Sequence, residues 1–369
     1  MKVYLLYPYF FTSDGNQKKI GGVETYIESL VEVIFNIGLE PIICQFSTKE
    51  FEISYLGYKV CGYNVNTIKK LYKKIESNVN KQEDLILFVS DLWSIKLNDV
   101  KTLSIQHGVY WDIPRSKGPF LLYYCQRIMQ ILTALIDFHK TKYSVCVDYN
   151  FYNWYKTLNV KTNSKKYWII PNFAAQYIGD VDLKSKISNR SSKLNIIFAR
   201  RFYEFRGVNI FSEAMLKILD EYPNVSVTFA GEGPSEKKIK DTFSCYGDRF
   251  SIIKYLPSDS FDIHKKFDIA VVPTLGSEGT SLSLLEAMGA GCVVISTPVG
   301  GLSNIIIDAY NGYMTMPTSS DLYLSIKRAI DNIDNNTIII NAVNTIKYSF
   351  SKEKWMSLWE NVLRDVMNL

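Results

Sequence analysis

Two series of short apolar runs, separated by stretches of helical period, restrict what this chain can fold into. KVYLLY (2–7), PIICQF (41–46), LILFV (85–89), KTLSI (101–105), YSVCV (143–147) and YWII (167–170) form the first series. LNIIFA (194–199), VSVTFA (225–230), FSIIKY (250–255), FDIAVV (267–272) and CVVIST (292–297) form the second. A strand that is apolar on both faces belongs in a parallel sheet covered by helices on each side. Two series therefore predict two doubly wound α/β domains, over 1–173 and 194–348, which suits a length of 369 residues. The polar, Ser/Lys-rich stretch 174–193 reads as a linker. The closing segment 349–369 carries Trp355, Leu358, Trp359, Val362, Leu363 and Val366 at helical spacing.

With 47% hydrophobic and 21% charged residues, each domain can bury an ordinary core. The six cysteines include no C-x-x-C and read as reduced thiols of a cytosolic protein. The start, MKVYLLYPYFF, reads as a first strand rather than a signal peptide. The net charge of +5 is mild, and a nucleic-acid partner is not expected, but the charge is unevenly spread. Residues 1–193 hold 25 Lys+Arg against 17 Asp+Glu, whereas 194–369 hold 17 against 20. The first half can therefore meet an anionic surface, or its lysines are simply solvated. Residues 120–138 are mostly apolar, yet Gln126, Arg127, Gln130, Thr133 and Asp137 form one polar stripe. That is an amphipathic helix, packed in the core or lying on a membrane surface. The segment 66–81 sets five lysines opposite Ile68, Leu71, Tyr72, Ile75 and Val79 and shares both readings.

Ligands of open parallel α/β sheets bind beyond the carboxyl ends of the strands. Gly21, Gly22 and Glu24 close the loop after the first strand, and Gln106-His107-Gly108 follows KTLSI. Arg201 and Arg206 follow LNIIFA, Gly231 and Gly233 follow VSVTFA, and Glu278 follows FDIAVVPT. These exits predict a cleft between the two domains. Arginines just before a helix suit a phosphate or diphosphate, surface ion pairing being the plainer reading. The first strand exit lacks G-x-G-x-x-G, which disfavours a hydride-transferring dehydrogenase. In SEGTSLSLLEAMGAG (277–291), Thr280 or Ser281 can cap a helix on which 279, 282, 283 and 286 share a face. Glu286, among apolar neighbours, then calls for a buried ion pair or for polyol hydroxyls such as those of a ribose.

The spacing Glu278-x7-Glu286, followed by EAMGAGCVVISTPVGG, resembles the retaining glycosyltransferases of family 4. GGVE, QHG, PNF (171–173), the arginine turn, FAGEGP, YLP (255–257) and NGYM (311–314) extend the resemblance along most of the chain. It implies the GT-B fold: two Rossmann-like domains, an interdomain cleft, and a C-terminal helix crossing back to the first domain. It implies a catalytic set of His107, Arg201, Arg206 and Glu278, and no metal or cofactor. Arg201 and Arg206 would hold the donor diphosphate, approached by Gly21 and Gly22 from the first domain and by Gly231 from the second. Glu286 would take the ribose, while Glu278 with Gly279, Thr280, Ser281 and Leu282 would grip the sugar and its phosphate. His107 would sit beside the transferred sugar, and Tyr255 and Leu256 would face the base.

Three positions depart from the family pattern: Arg206 stands for a Lys, Ala199-Arg200-Arg201 for Gly-Arg, and Thr280-Ser281 for Phe-Gly. The resemblance implies transfer of a hexose or N-acetylhexosamine from a UDP- or GDP-sugar to a glycan acceptor, lipid-linked, in cell-surface polysaccharide synthesis. The setting would be the cytoplasm, at the inner face of the membrane, with peripheral contact to anionic lipid. Asp180-Val181-Asp182 has a metal-binding spacing but falls in the linker and reads as solvated. Two other readings are a sugar-nucleotide epimerase or hydrolase of the same fold, and a non-catalytic nucleotide-sugar-binding protein.

Overall fold

The structure, a computed structural model, describes residues 1–114, 119–158 and 165–369. The chain divides into two compact units. Unit 1 comprises Met1–His107, Lys117–Ile170 and Trp355–Leu369, and unit 2 comprises Gly108–Ser116 and Pro171–Lys354.

Unit 1 is built on eight strands: β1 (Lys2–Leu6), β2 (Glu40–Phe46), β3 (Phe51–Tyr55), β4 (Tyr58–Tyr63), β5 (Leu85–Phe88), β6 (Lys101–Gln106), β7 (Tyr143–Cys146) and β8 (Lys166–Ile169). Their order is β3-β4-β2-β1-β5-β6-β7-β8, parallel except for β3 against β4. Leu5 of β1 lies level with Ile43 and Leu87, and all three are fully buried, as central strands covered on both faces require. The β3–β4 hairpin is absent from the expected strands. FEISY is only half-buried at an edge, and its turn uses Leu56 (φ 48°) and Gly57 (φ 87°) rather than an Asn-Gly signal. The helices of unit 1 are α1 (Gly22–Asn36), α2 (Ile68–Ile75), α3 (Phe120–Phe138) and α4 (Tyr149–Leu158).

Unit 2 is an all-parallel sheet of β9 (Leu194–Ala199), β10 (Val225–Ala230), β11 (Phe250–Ile253), β12 (Ile269–Val272), β13 (Val293–Ser296) and β14 (Tyr313–Met314). The order is β11-β10-β9-β12-β13-β14. Strand order therefore reverses between β9 and β12, and crossovers leave on opposite faces there, opening a crevice at their carboxyl ends. Its helices are α5 (Asp180–Ser188), α6 (Val208–Glu221), α7 (Glu236–Phe243), α8 (Ser260–His264), α9 (Leu282–Gly289), α10 (Ser319–Asp331) and α11 (Asn336–Ser349). Helix α5 lies within the stretch expected as a linker. Ile178 and Leu183 join the core of unit 2, too sparsely spaced in sequence to show a period. Asp180 and Asp182 fall in the first turn of α5, where the helix dipole favours carboxylates.

The last helix, α12 (Lys352–Met367), returns the chain to unit 1, which includes everything from Trp355 onward. Trp359 Nε1 donates to the Tyr26 hydroxyl of α1 at 2.9 Å, and the rings of Trp355 and Tyr26 meet edge to face at 5.0 Å. Burial pushes the Tyr26 hydroxyl far above its ordinary value, so it stays protonated between the two indoles.

The single turn α8 buries His264, whose Nδ1–H donates to the Ser260 carbonyl at 2.8 Å. Burial pulls this imidazole down to about 4 from an ordinary 6.5. The unfolded chain thus takes up the proton first. The stabilisation is complete above pH 6.5 and is lost as the pH falls towards 4. At pH 5 the loss should be about 2 kcal/mol relative to neutral pH. Chemical denaturation of wild type and His264→Gln at both pH values checks this. The wild type should lose about 2 kcal/mol more than the variant on acidification.

Candidate functional site

The crevice between β9 and β12 brings three charged groups of unit 2 together. Arg200 is the first residue past β9, and Arg206 closes a short helical turn before α6. Opposite them Glu278 sits in the loop between β12 and α9 and is 8% exposed. Its Oε2 accepts from Arg200 Nη2, from Arg206 Nη1 at 2.5 Å and from Thr274 Oγ1 at 3.0 Å. Arg200 also donates through Nη1 to Thr274 Oγ1. Three donors thus converge on one carboxylate oxygen. Burial pushes the Glu278 carboxyl up, but the guanidiniums of Arg200 and Arg206 outweigh it and hold the group below the ordinary carboxylate range. Two guanidiniums against one carboxylate leave the crevice a unit of positive charge.

The loop carrying Glu278 is held along its length. Ser277 N–H donates to Asp112 Oδ1 at 2.6 Å, and the Ser277 carbonyl accepts from Arg206 at 3.3 Å. Ser277 takes φ of 57°, a left-handed conformation that costs a non-glycine residue roughly 1–2 kcal/mol. Asn172 Nδ2 donates to the Thr280 carbonyl at 2.7 Å, which gives the PNF segment a structural role. Gly300, at φ 55°, lies so close that a Cβ there would stand 1.9 Å from the Glu278 carbonyl oxygen. Only glycine permits that approach. Gly231, at φ 142°, does the same between β9 and β10, where a Cβ would stand 2.3 Å from the Arg200 carbonyl oxygen.

Glu286 lies in α9 on the same, less buried face as Leu282 and Ser283, as the helical spacing predicts. Ser260 Oγ donates to its Oε2 at 2.6 Å. Burial pushes the Glu286 carboxyl up, and the Ser260 bond opposes that without cancelling it. Tyr255 is half-buried and Leu256 exposed. Burial, with the nearby Glu286 charge, pushes the Tyr255 hydroxyl up to about 12.

The structure adds to the sequence reading. Arg200 joins Arg206 and Glu278, while Arg201 is exposed at the same strand exit. Residues 200 and 201 leave the strand end on opposite sides, and their order in sequence does not say which turns inward. Ser281 does occupy the N-cap of α9, but its hydroxyl meets Ser283 Oγ at 3.3 Å instead of a backbone amide. Thr280 and Ser281 are both buried, so their hydroxyls do not line an open surface. The sequence marks Asn172 only as part of PNF, and it does not mark Thr274, Asp112 or Ser260. Asp112, Asn172 and Ser260 each bond a partner distant in sequence, and Thr274 is an ordinary polar residue four positions before Glu278.

The remaining site residues belong to unit 1. Gly21 is the N-cap of α1 and Gly22 its first residue, directly beyond the β1 loop. His107 follows β6 and contacts the Val89 carbonyl through Nε2 at 2.7 Å. A carbonyl only accepts, so Nε2 carries the proton and Nδ1 is the acceptor. Burial lowers the imidazole's affinity for a second proton, and the ring packs edge to face on Tyr26. His107 is therefore a neutral group.

Residues 193–332 match the family of glycosyl transferases group 1. An uncharacterized glycosyltransferase of Methanocaldococcus jannaschii is 23% identical over 95% of this chain and 96% of its own. A second from the same organism is 25% identical over 51% of this chain and 47% of its own, so the present chain spans about half of that relative. Among solved structures, Anabaena HepE in complex with UDP superimposes with a TM-score of 0.72 at 13% identity. The match covers 99% of this chain and all of that one. The group 1 match spans β9 through α10, including Arg200, Arg201, Arg206, Glu278 and Glu286. The chain has the GT-B fold, and its residues 193–332 match the glycosyl transferases group 1 family.

Proposed function

We propose that the chain is a retaining hexosyltransferase of family 4. It moves a hexose or an N-acetylhexosamine from a UDP- or GDP-sugar to a glycan acceptor carried on a lipid, in the synthesis of a cell-surface polysaccharide. It works in the cytoplasm at the inner face of the membrane. The observation that carries this reading is the convergence of Arg200, Arg206 and Thr274 on Glu278 at the β9/β12 crevice. A buried cationic surplus at that end of a parallel sheet suits a diphosphate, and the UDP complex of the similar Anabaena protein favours uridine as the base.

In the proposed reaction the bond from the anomeric carbon to the diphosphate oxygen breaks, and the bond to the acceptor oxygen forms on the same face. The departing phosphate oxygen takes the acceptor's proton, so no side-chain base is required. Arg201 and Arg206, with Arg200 beside them, stabilise the charge that develops on that oxygen, which is the largest electrostatic contribution available here. Glu278 holds the arginines in place and offers its second oxygen to a hydroxyl of the sugar. Neutral His107 accepts a sugar hydroxyl at Nδ1. Glu286 takes the ribose hydroxyls, and the segment at Tyr255 and Leu256 faces the base. No metal is needed, because the guanidiniums supply the positive charge. Calorimetric titration with a panel of nucleotide sugars tests the reading: one donor should bind, and the free nucleotide diphosphate should compete with it.

The two glutamates should separate kinetically. Glu286→Gln removes a ground-state contact and should raise KM, costing about 1.5–3 kcal/mol of donor binding. Glu278→Gln leaves two guanidiniums without their anion and should act mainly on kcat. Unchanged donor affinity in Glu286→Gln would remove the ribose assignment.

The arginines should all matter to rate. Arg206→Ala, Arg201→Ala and Arg200→Ala should each lose ~10²–10³ in rate. Proton NMR of the product should show the donor's anomeric configuration kept, with or without EDTA. An inverted anomer, or a rate lost on chelation and restored by Mg²⁺ or Mn²⁺, would refute the arginine-only stabilisation.

A further inference from the structure

Helix α3 is amphipathic in the reverse sense to a core helix. Its inward side includes Ala134, Asp137 and Phe138, with the Asp137 side chain tied to Lys140 at 2.5 Å and its carbonyl accepting from Ser94. Its outward side is mostly apolar, with Gln126 and Thr133 the exposed polar residues of the helix. Leu121, Cys125, Ile128, Leu132 and Ile136 follow at spacings of four, three, four and four, one continuous stripe, with Met129 beside it. Leu121 is 75% exposed, Met129 62% and Ile136 63%. At about 1.5 Å per residue the stripe runs roughly 22 Å. Contiguous exposed apolar surface of this kind marks a docking face.

Helix α2 makes the contrast. It buries Ile68, Leu71, Tyr72 and Ile75 and leaves its lysines outside, so its apolar stripe is already spent on the core of unit 1. Of the two segments whose sequence allowed either placement, only α3 presents its apolar side to solvent.

Charge selects the occupant. Over residues 119–142 the chain carries Arg127, Lys140 and Lys142 against one acid, Asp137, and that acid is buried. The outward surface of the helix therefore offers hydrocarbon and no carboxylate, with half-buried Arg127 at its flank and exposed Lys142 just past its end, within a half of the chain holding 25 basic against 17 acidic residues. A second copy would set like charge against like. An anionic bilayer would meet the apolar stripe with acyl chains and the cations with headgroups. No described helix is long and apolar enough to cross a membrane, so the fit is to a helix lying in the interfacial plane.

We propose that α3 is a membrane-docking helix, inserting the Leu121–Ile136 stripe into the interface of an anionic bilayer. This rests on the reading above that the acceptor is carried on a lipid, and it names the element that meets that lipid surface.

The test is flotation of the full-length protein with vesicles of phosphatidylcholine alone and of phosphatidylcholine with phosphatidylglycerol, at low and at high salt. The protein should float with the anionic vesicles at low salt, less so at high salt, and at least tenfold less in Leu121→Gln/Ile128→Gln/Leu132→Gln. These positions face solvent, so circular dichroism and donor titration of the variant should match wild type. A second readout avoids the multiple variant: a bimane on Cys125 in the Cys245→Ser protein should shift to the blue on adding anionic vesicles. Cys125 and Cys245 are the exposed cysteines, the other four being buried. Absence of flotation at low salt, equal binding to neutral vesicles, or an unshifted bimane would overturn the proposal. So would a wild-type dimer that the triple variant turns into a monomer, which would make a second copy the occupant. Donor titration without lipid tests the transferase reading separately, so the two can fail independently.

Discussion

The candidate site depends on one buried oxygen, Oε2 of Glu278, shared by two guanidiniums and a threonine hydroxyl. Such a cluster is not there for stability. Desolvating each ion costs several kcal/mol, and the attraction of a buried pair often does no more than offset that. What the arrangement supplies is fixed cationic surplus. The carboxylate neutralises one arginine and orients both, so the fields of Arg200 and Arg206 point into the crevice before any ligand arrives. Dipoles and charges that need not reorganise are the ones most effective against a developing negative charge.

Fixing that oxygen requires fixing a loop, which explains a set of otherwise unrelated residues. Asp112, Asn172 and Gly300 are far apart in sequence, yet each constrains the backbone within two residues of Glu278 or contacts Glu278 itself. Thr297 Oγ1 adds a fourth tie, donating to the Thr274 carbonyl at 2.6 Å. The left-handed Ser277 is held by its bonds to Asp112 and Arg206 on either side of its own Cα. Strain of this kind persists only where the surroundings over-determine it. The segment following His107 thereby contributes to the same unit as the loop it ties, although the strand before it belongs to the other unit.

Most of the frame was legible because it follows from periodicity. The continuous apolar runs became the central strands, and the reversal of strand order between β9 and β12 placed Arg206 and Glu278 together as strand exits. Helical spacing set Leu282, Ser283 and Glu286 on one face. What the sequence left open shares a cause, which is that direction is not encoded locally. Either Arg200 or Arg201 could turn inward at the end of β9, and the hydrogen bond that decides it comes from a residue 78 positions away. The β3–β4 hairpin escaped because an edge strand carries a diluted apolar pattern, and α5 because its single buried residue, Leu183, makes no period.

Helix α3 shows the same limit in its sharpest form. Its stripe of polar residues was readable, but a stripe defines a face without saying whether that face looks in or out. Here the answer turns on Asp137. Its bonds to Lys140 and Ser94 give the carboxylate and its carbonyl partners inside the protein, and they leave the hydrocarbon side outward. A buried carboxylate next to Asp91, whose own carboxyl burial pushes up to about 7, is tolerable because one of the two can stay protonated and the other is paired. The polar side of α3 is thus satisfied by its own unit, so nothing within that unit calls for the helix to rotate. The apolar side is what remains to be satisfied, and among the described helices α2, whose stripe is buried, shows that the chain covers such faces where its own core can do so.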